Sequence, residues 1–119
     1  MLKKTINYID FNGEPRKEEF YFNLTRAEIT EMELSLSGGM VQFIETIVAT
    51  NDEPKMIELW KQILLRSYGE KSPDGRLFRK TPKIVEDFSY SAAYAALFME
   101  LASDAEAAAA FINGVVPQQ

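Results

Sequence analysis

The only side chains in this sequence able to do acid–base or metal chemistry in quantity are its carboxylates. Histidine is absent, which removes the usual neutral-pH proton carrier and the commonest metal ligand. Cysteine is absent too, so disulfides are excluded and the redox compartment is left open. Two carboxylates must face each other to share a proton or hold a metal. Glu31 and Glu33 cannot, because positions i and i+2 diverge on a helix. Glu18 and Glu19 point to opposite faces of a strand. Glu86 and Asp87 are adjacent near a helix end. Carboxylate catalysis therefore requires a deep pocket gathering at least two of Glu28, Asp52, Glu86 and Asp87. A solvated charged surface accounts for them otherwise. No catalytic residue, metal ligand or cofactor-binding residue is assigned, and no cofactor is expected.

Other chemistry-bearing patterns have structural competitors. Gly38-Gly39 and Tyr68-Gly69 lack the spacing of a phosphate loop or a dinucleotide fingerprint and fit turns between helices. Tyr68, Phe78, Tyr90 and Tyr94 near basic residues suggest base stacking. Tyr90 and Tyr94, however, share a stripe with Leu97 and Leu101, which points to core packing. Arg66, Lys71, Arg76, Arg79, Lys80 and Lys83 form a basic segment with two readings. Either it balances acidic flanks within the chain, or it meets an acidic surface of a partner or a second subunit, steering association.

The elements that position these residues follow from periodicity. Thr5 to Phe11 is rich in β-branched and aromatic residues, and Phe20, Phe22 and Leu24 alternate with Glu19, Tyr21 and Asn23. Asn12-Gly13 supplies the positive φ that a hairpin needs. A two-residue loop puts Thr5 opposite Phe20. A three-residue loop, Asn12 to Glu14, puts Ile6 opposite Phe20 and Tyr8 opposite Glu18, burying Ile6 and Phe20 on one face, and is preferred. Pro15 then starts a strand.

Helical patterning follows. Thr25 and Glu28 form a capping box, with Ile29, Met32 and Leu36 behind it and Gly38-Gly39 as the stop. Met40, Phe43, Ile44, Ile47 and Val48 make a second stripe. Asn51 or Asp52 caps a third helix, with Pro54 in its first turn and Met56, Leu59, Trp60, Ile63 and Leu64 inward. Ser72-Pro73-Asp74-Gly75 is a β-turn. Thr81-Pro82 opens a short helix through Phe88. Ser89 or Ser91 opens the next, with Tyr90, Tyr94, Leu97, Phe98 and Leu101 inward. Ser103 and Glu106 form another capping box. Ala108, Phe111 and Ile112 line a last helix that Gly114 stops, and Val115 to Gln119 is a frayed tail. Of the methionines, Met32, Met40 and Met56 sit on core stripes, and Met99 lies off its stripe and is expected to be exposed.

At 119 residues and 46% apolar content, the chain fits one domain with a real core. The net charge of −5 is uneven. Residues 1–27 carry +1, 28–65 carry −5, 66–83 carry +4 and 84–119 carry −5. An acidic chain gains nothing from counterion release, which argues against nucleic acid as a partner. No apolar run approaches the ~20 residues of a membrane span, so no membrane partner is expected. The start, Met1 to Thr5, resembles a signal peptide but lacks its apolar core, so the expected location is cytoplasmic.

The C-terminal half resembles the tail assembly chaperones of long-tailed (siphovirus-type) bacteriophages and prophages. The resemblance is carried by Ser67-Tyr68-Gly69-Glu70-Lys71-Ser72, Asp74-Gly75-Arg76 and Phe78. It continues through Tyr94, Leu97-Phe98-Met99-Glu100-Leu101-Ala102, Ala110-Phe111-Ile112-Asn113-Gly114 and Pro117. In that family a YGE-K-S-DGR-F connector precedes an acidic FMELA-D-A-A-A-FINGI-P ending. Ser91-Ala92-Ala93 departs from it, standing where a more polar, acidic helix start is common. The resemblance implies a non-enzymatic protein of the host cytoplasm, absent from the mature virion. It would coat the tape measure protein and help recruit subunits of the major tail tube protein. It also implies a short form and a frameshifted long form, this chain being the short one. A minor structural protein of the tail or virion is the alternative, and a general protein-interaction domain is a further one.

The expected fold is α+β, mainly α: an N-terminal β-hairpin followed by a compact bundle of about five to six helices. One domain spans 1–119, with the hairpin at 1–24, helices at 25–68, a basic connector at 69–80, C-terminal helices at 81–114 and a tail at 115–119. Lys71, Arg76, Phe78, Arg79, Lys80, Met99, Phe111 and Ile112 are the expected protein-contact residues. Self-association into a homo-oligomer is compatible with a coating role.

Overall fold

The structure is a computed structural model that describes residues 1–34 and 53–115. Strands β1 (Leu2–Ile9) and β2 (Pro15–Phe22) form an antiparallel hairpin. Gly13 adopts φ +84°, and its N–H donates to the Asp10 carbonyl at 2.9 Å. The Asp10 carboxylate accepts from the N–H groups of Asn12 (2.9 Å) and Glu14 (3.0 Å) and from Arg16 Nε (2.6 Å). This is a three-residue loop closing on a left-handed glycine. It spans Phe11 to Gly13, one residue earlier than expected, because the Asp10 side chain pins the turn. Ile6 therefore faces Glu18, and Phe20 faces Lys4, correcting the expected Ile6–Phe20 pairing. A register change of two residues leaves every side chain on its face. Ile6 and Phe22 are buried on one face, while Lys3, Thr5, Asn7 and Ile9 are exposed on the other.

The sheet does not end with this hairpin. Strands β3 (Tyr68–Lys71) and β4 (Phe78–Arg79) extend it to four in the order β1-β2-β3-β4. Gly69 pairs with Tyr21, and Glu70 with Arg79. The segment read from sequence as a connector is thus a second hairpin. Its turn repeats the chemistry of the first. Gly75 takes φ +76° and donates to the Ser72 carbonyl at 3.0 Å. Ser72 Oγ donates to Asp74 Oδ1 (2.7 Å) and accepts from Leu77 N–H (3.0 Å).

Five helices occur among the described residues. Helix α1 (Arg26–Leu34) opens on the expected capping box, with Glu28 N–H donating to Thr25 Oγ1 (3.2 Å) and Thr25 N–H to Glu28 Oε1 (2.9 Å). Helix α2 (Glu53–Ser67) has Pro54 in its first turn and buries Ile63 and Leu64. Helix α3 (Pro82–Ser89) is capped by Thr81, and α4 (Ala92–Ser103) by Ser91. Helix α5 (Ala105–Val115) is capped by Asp104, whose Oδ1 accepts from Glu106 N–H (3.0 Å) and Ala107 N–H (3.2 Å). Ser103 is not the cap: its hydroxyl turns back to donate to the Met99 carbonyl at 2.7 Å. Gly114 does not stop α5, which runs to Val115. Val115 is buried, and its carbonyl accepts from Leu24 N–H at 3.0 Å, so it is anchored rather than frayed.

The helices cover one face of the sheet. The core unites Ile6, Phe22 and Leu24 with Ile63, Leu64, Phe88, Leu97, Leu101 and Phe111. Burying each large apolar side chain contributes about 1.5–3 kcal/mol. Phe22 meets Phe111 edge-on at 5.2 Å, and Tyr68 stacks on Phe88 at 3.9 Å between ring centres. Tyr90 is the exception to the expected stripe. It follows α3 as its C-cap and is 71% exposed. The result is α+β, with the described helices packed on a four-stranded sheet. The expected Met40–Val48 helix, the Gly38-Gly39 stop of the helix before it, Leu36, the Asn51 or Asp52 cap and residues 116–119 lie outside the described residues. So do the side chains of Met32, Met56 and Leu59.

Candidate protein-interaction surface

The β3–β4 hairpin collects Lys71, Arg76, Phe78 and Arg79, four of the residues expected to make contacts. It can exist only because residue 69 is glycine. A Cβ there would lie 2.8 Å from both the Phe78 ring and the Arg79 carbonyl. Phe78 thereby packs close to Gly69 of β3 and is half-buried. Arg76 stands at the tip with its side chain 86% exposed, 4.0 Å from Asp74. Asp74 is held below its ordinary pKa of 3.8, first by the Ser72 hydroxyl and then by the Arg76 N–H. Leu77 beside it is 53% exposed.

Lys80 turns the other way. Its Nζ donates to the carbonyls of Asn23 (2.7 Å) and Arg66 (2.7 Å) and to Glu28 Oε2 (2.5 Å). The ammonium thus ties together the end of β2, the start of α1 and the end of α2. Burial of Glu28 works against its ionisation, but the bonds from Lys80 and from Thr25 outweigh it and hold the pKa below 4.5. Phe111 is likewise interior, 3% exposed, and Ile112 packs partly buried against the core. Met99 is 63% exposed on α4, as expected from its place off the stripe.

A groove runs between the sheet and α3, with a volume of about 410 Å³. Its floor is aromatic: Tyr8, Phe20, Tyr68 and Phe88. Its rim carries Glu18, Glu70, Asp87 and Lys83. The Tyr8 hydroxyl donates to Glu18, and that bond, followed by burial, raises the tyrosine above its ordinary 10.0. Burial, then the Glu70 charge, raises Tyr68 as well. Lys83 donates to Asp87 at 2.9 Å, and this bond raises the lysine above 10.5. Sequence reasoning missed the groove, since its walls come from β1, β2, β3 and α3 with no local pattern linking them. It also missed the exposed Phe11 at the first hairpin tip, 83% accessible, although Asn12-Gly13 marked that tip.

The carboxylates that catalysis would need are spread apart. Glu28 lines a separate cleft with Glu31, Arg66 and Lys80. Asp87 lines the aromatic groove, and Glu86 lines neither. Asp52 lies outside the described residues. Among the described residues no three His, Cys, Asp or Glu side chains converge as a metal site, and no helix is long and apolar enough to cross a membrane.

The surface that remains is one of exposed aromatic, aliphatic and charged side chains on a sheet-and-helix frame, the chemistry of a protein-binding domain. The phage tail assembly chaperone family model matches residues 1–119, and the chain belongs to that family. Neither a curated protein nor a solved structure matches it.

Proposed function

We propose that this chain binds the tape measure protein of its phage or prophage, keeps it from aggregating and helps recruit tail tube subunits, without catalysis. The observation that carries the reading is the family match over the whole chain. The exposed apolar residues Phe11, Leu77, Tyr90 and Met99 support it. A long helical client exposes apolar stripes that aggregate when bare, and exposed Met and aromatic side chains suit varied, reversible contacts with such stripes. The protein acts in the host cytoplasm and leaves before the virion is complete. Co-expression with the tape measure protein encoded in the same genome tests this. The client is expected to move from the insoluble to the soluble fraction. An unchanged distribution would count against the proposal.

A further inference from the structure

The two edges of the sheet are unlike. Strand β4 is two residues long, which leaves little for another chain to pair with. Strand β1 runs for eight residues without proline. The register shows which of its backbone groups are already used. Asp10 N–H donates to the Glu14 carbonyl at 2.9 Å, and bonded pairs recur at every second residue of an antiparallel ladder. The bonded pairs are therefore Tyr8 with Arg16, Ile6 with Glu18, Lys4 with Phe20 and Leu2 with Phe22. The far side of β2 agrees. Asn23 N–H donates to the Ser67 carbonyl at 2.7 Å and Tyr21 pairs with Gly69, so odd-numbered residues of β2 bond towards β3. By the same alternation Lys3, Thr5, Asn7 and Ile9 turn their N–H and C=O groups out from the edge. Among the described residues these groups have no partner.

Native sheets blunt such an edge with proline, a bulge or charge. Pairing of β1 with β2 is unbroken from Leu2 to Ile9, which excludes a bulge. Lys3 is held loosely by Glu19 at 3.7 Å, and Lys4 is turned to Glu100 of α4 at 3.2 Å. A cavity of about 250 Å³ opens between β1 and α4, lined by Thr5, Ile6, Asn7, Ala96, Leu97 and Glu100. A strand laid on β1 places every second side chain on the cavity side, next to Ile6 and Leu97. At the end of β1 nearest the turn, Ile9 is 59% exposed, and Phe11 follows it. The edge therefore fits an extended segment with an apolar residue beside Ile9 and a carboxylate beside Lys3.

We propose that β1 takes up an extended segment of a tail tube subunit as a fifth strand of the sheet. This rests on the reading that the chain recruits such subunits. A helical client does not fit the edge, because a helix satisfies its backbone groups internally. An extended segment has those groups free, and main-chain bonds to the edge supply affinity while side-chain pockets supply selectivity.

Residue-resolved amide hydrogen exchange tests this on the full chain, alone and with the purified tail tube protein of the same genome. Alone, the N–H groups of Lys3, Thr5, Asn7 and Ile9 should exchange about tenfold faster or more than those of Lys4, Ile6 and Tyr8. With the tube protein the first set should slow by about tenfold or more. The double variant Thr5→Pro with Asn7→Pro removes outward donors where an edge strand tolerates proline. It should weaken binding by about tenfold or more while exchange at Ile6 and Tyr8 stays slow. The wild-type exchange result stands even where the prolines disturb the hairpin. Titration separates the failures. Tube protein that binds without protecting the odd-numbered amides overturns the edge assignment and leaves the recruiting role intact, whereas no binding overturns both. Odd-numbered amides already slow in the chain alone, through pairing of two copies or cover from elsewhere in the chain, would also overturn the proposal.

Discussion

Lys80 illustrates how little a residue's type says about its use. In the sequence it is one cation in a basic run and an expected contact residue. In the fold its side chain is only 17% exposed and serves three chain segments at once. Replacing it with methionine keeps the stem but leaves two carbonyls and the Glu28 carboxylate without their donor. Stability should fall by about 2–4 kcal/mol in a urea titration. Glu28 gives the same hub a pH signature. A carboxylate with a depressed folded-state pKa contributes stability that is complete above its ordinary value, here 4.5, and lost as pH falls through the folded value. Unfolding measured across the acid range should show that loss below about pH 4.5, and Glu28→Gln should flatten it. Nothing local in the sequence distinguishes Lys80 from Arg79, because the difference lies in which carbonyls the fold brings near.

At the level of elements, the caps were the most readable feature. Thr25 with Glu28, Thr81-Pro82 and Ser91 all act as the spacing predicts. The exception is the start of α5. Ser103 and Glu106 have capping-box spacing, yet the adjacent Asp104 accepts the two first-turn N–H groups. A carboxylate is also favoured there by the helix dipole. Asp104→Ala should cost about 1 kcal/mol by thermal unfolding, while Ser103→Ala should cost only a few tenths. Equal losses would contradict the assignment. The strands were less readable. The Ser72–Gly75 turn was legible from Pro and Gly, but β3 and β4 hold only four and two residues and show no apolar alternation. They become strands because β2 offers an edge at Tyr21 and Phe22 and because Gly69 lets Phe78 lie close. Both reasons are tertiary. In the first hairpin the alternation predicts the buried face correctly, but the register differs by two residues because the Asp10 side chain sets the loop.

Across the whole molecule, the α+β class and much of the core were present in periodicity, because burial imposes it. Leu97, Leu101, Phe111, Ile63 and Leu64 are interior as their spacing requires. The candidate surface was legible in part. The hairpin cations and Met99 are exposed, whereas Lys80 and Phe111 are used internally. The aromatic groove had no signal, being assembled from four separate elements. Family membership ties the chain to phage tail assembly, and the proposed client is the tape measure protein. The most direct measurement is affinity purification of the tagged chain from cells in which phage tails are being assembled, with the bound proteins identified by mass spectrometry. The account predicts that the tape measure protein is enriched and that raised salt reduces the yield. Recovery of the chain without the tape measure protein, at low as well as high salt, would contradict it.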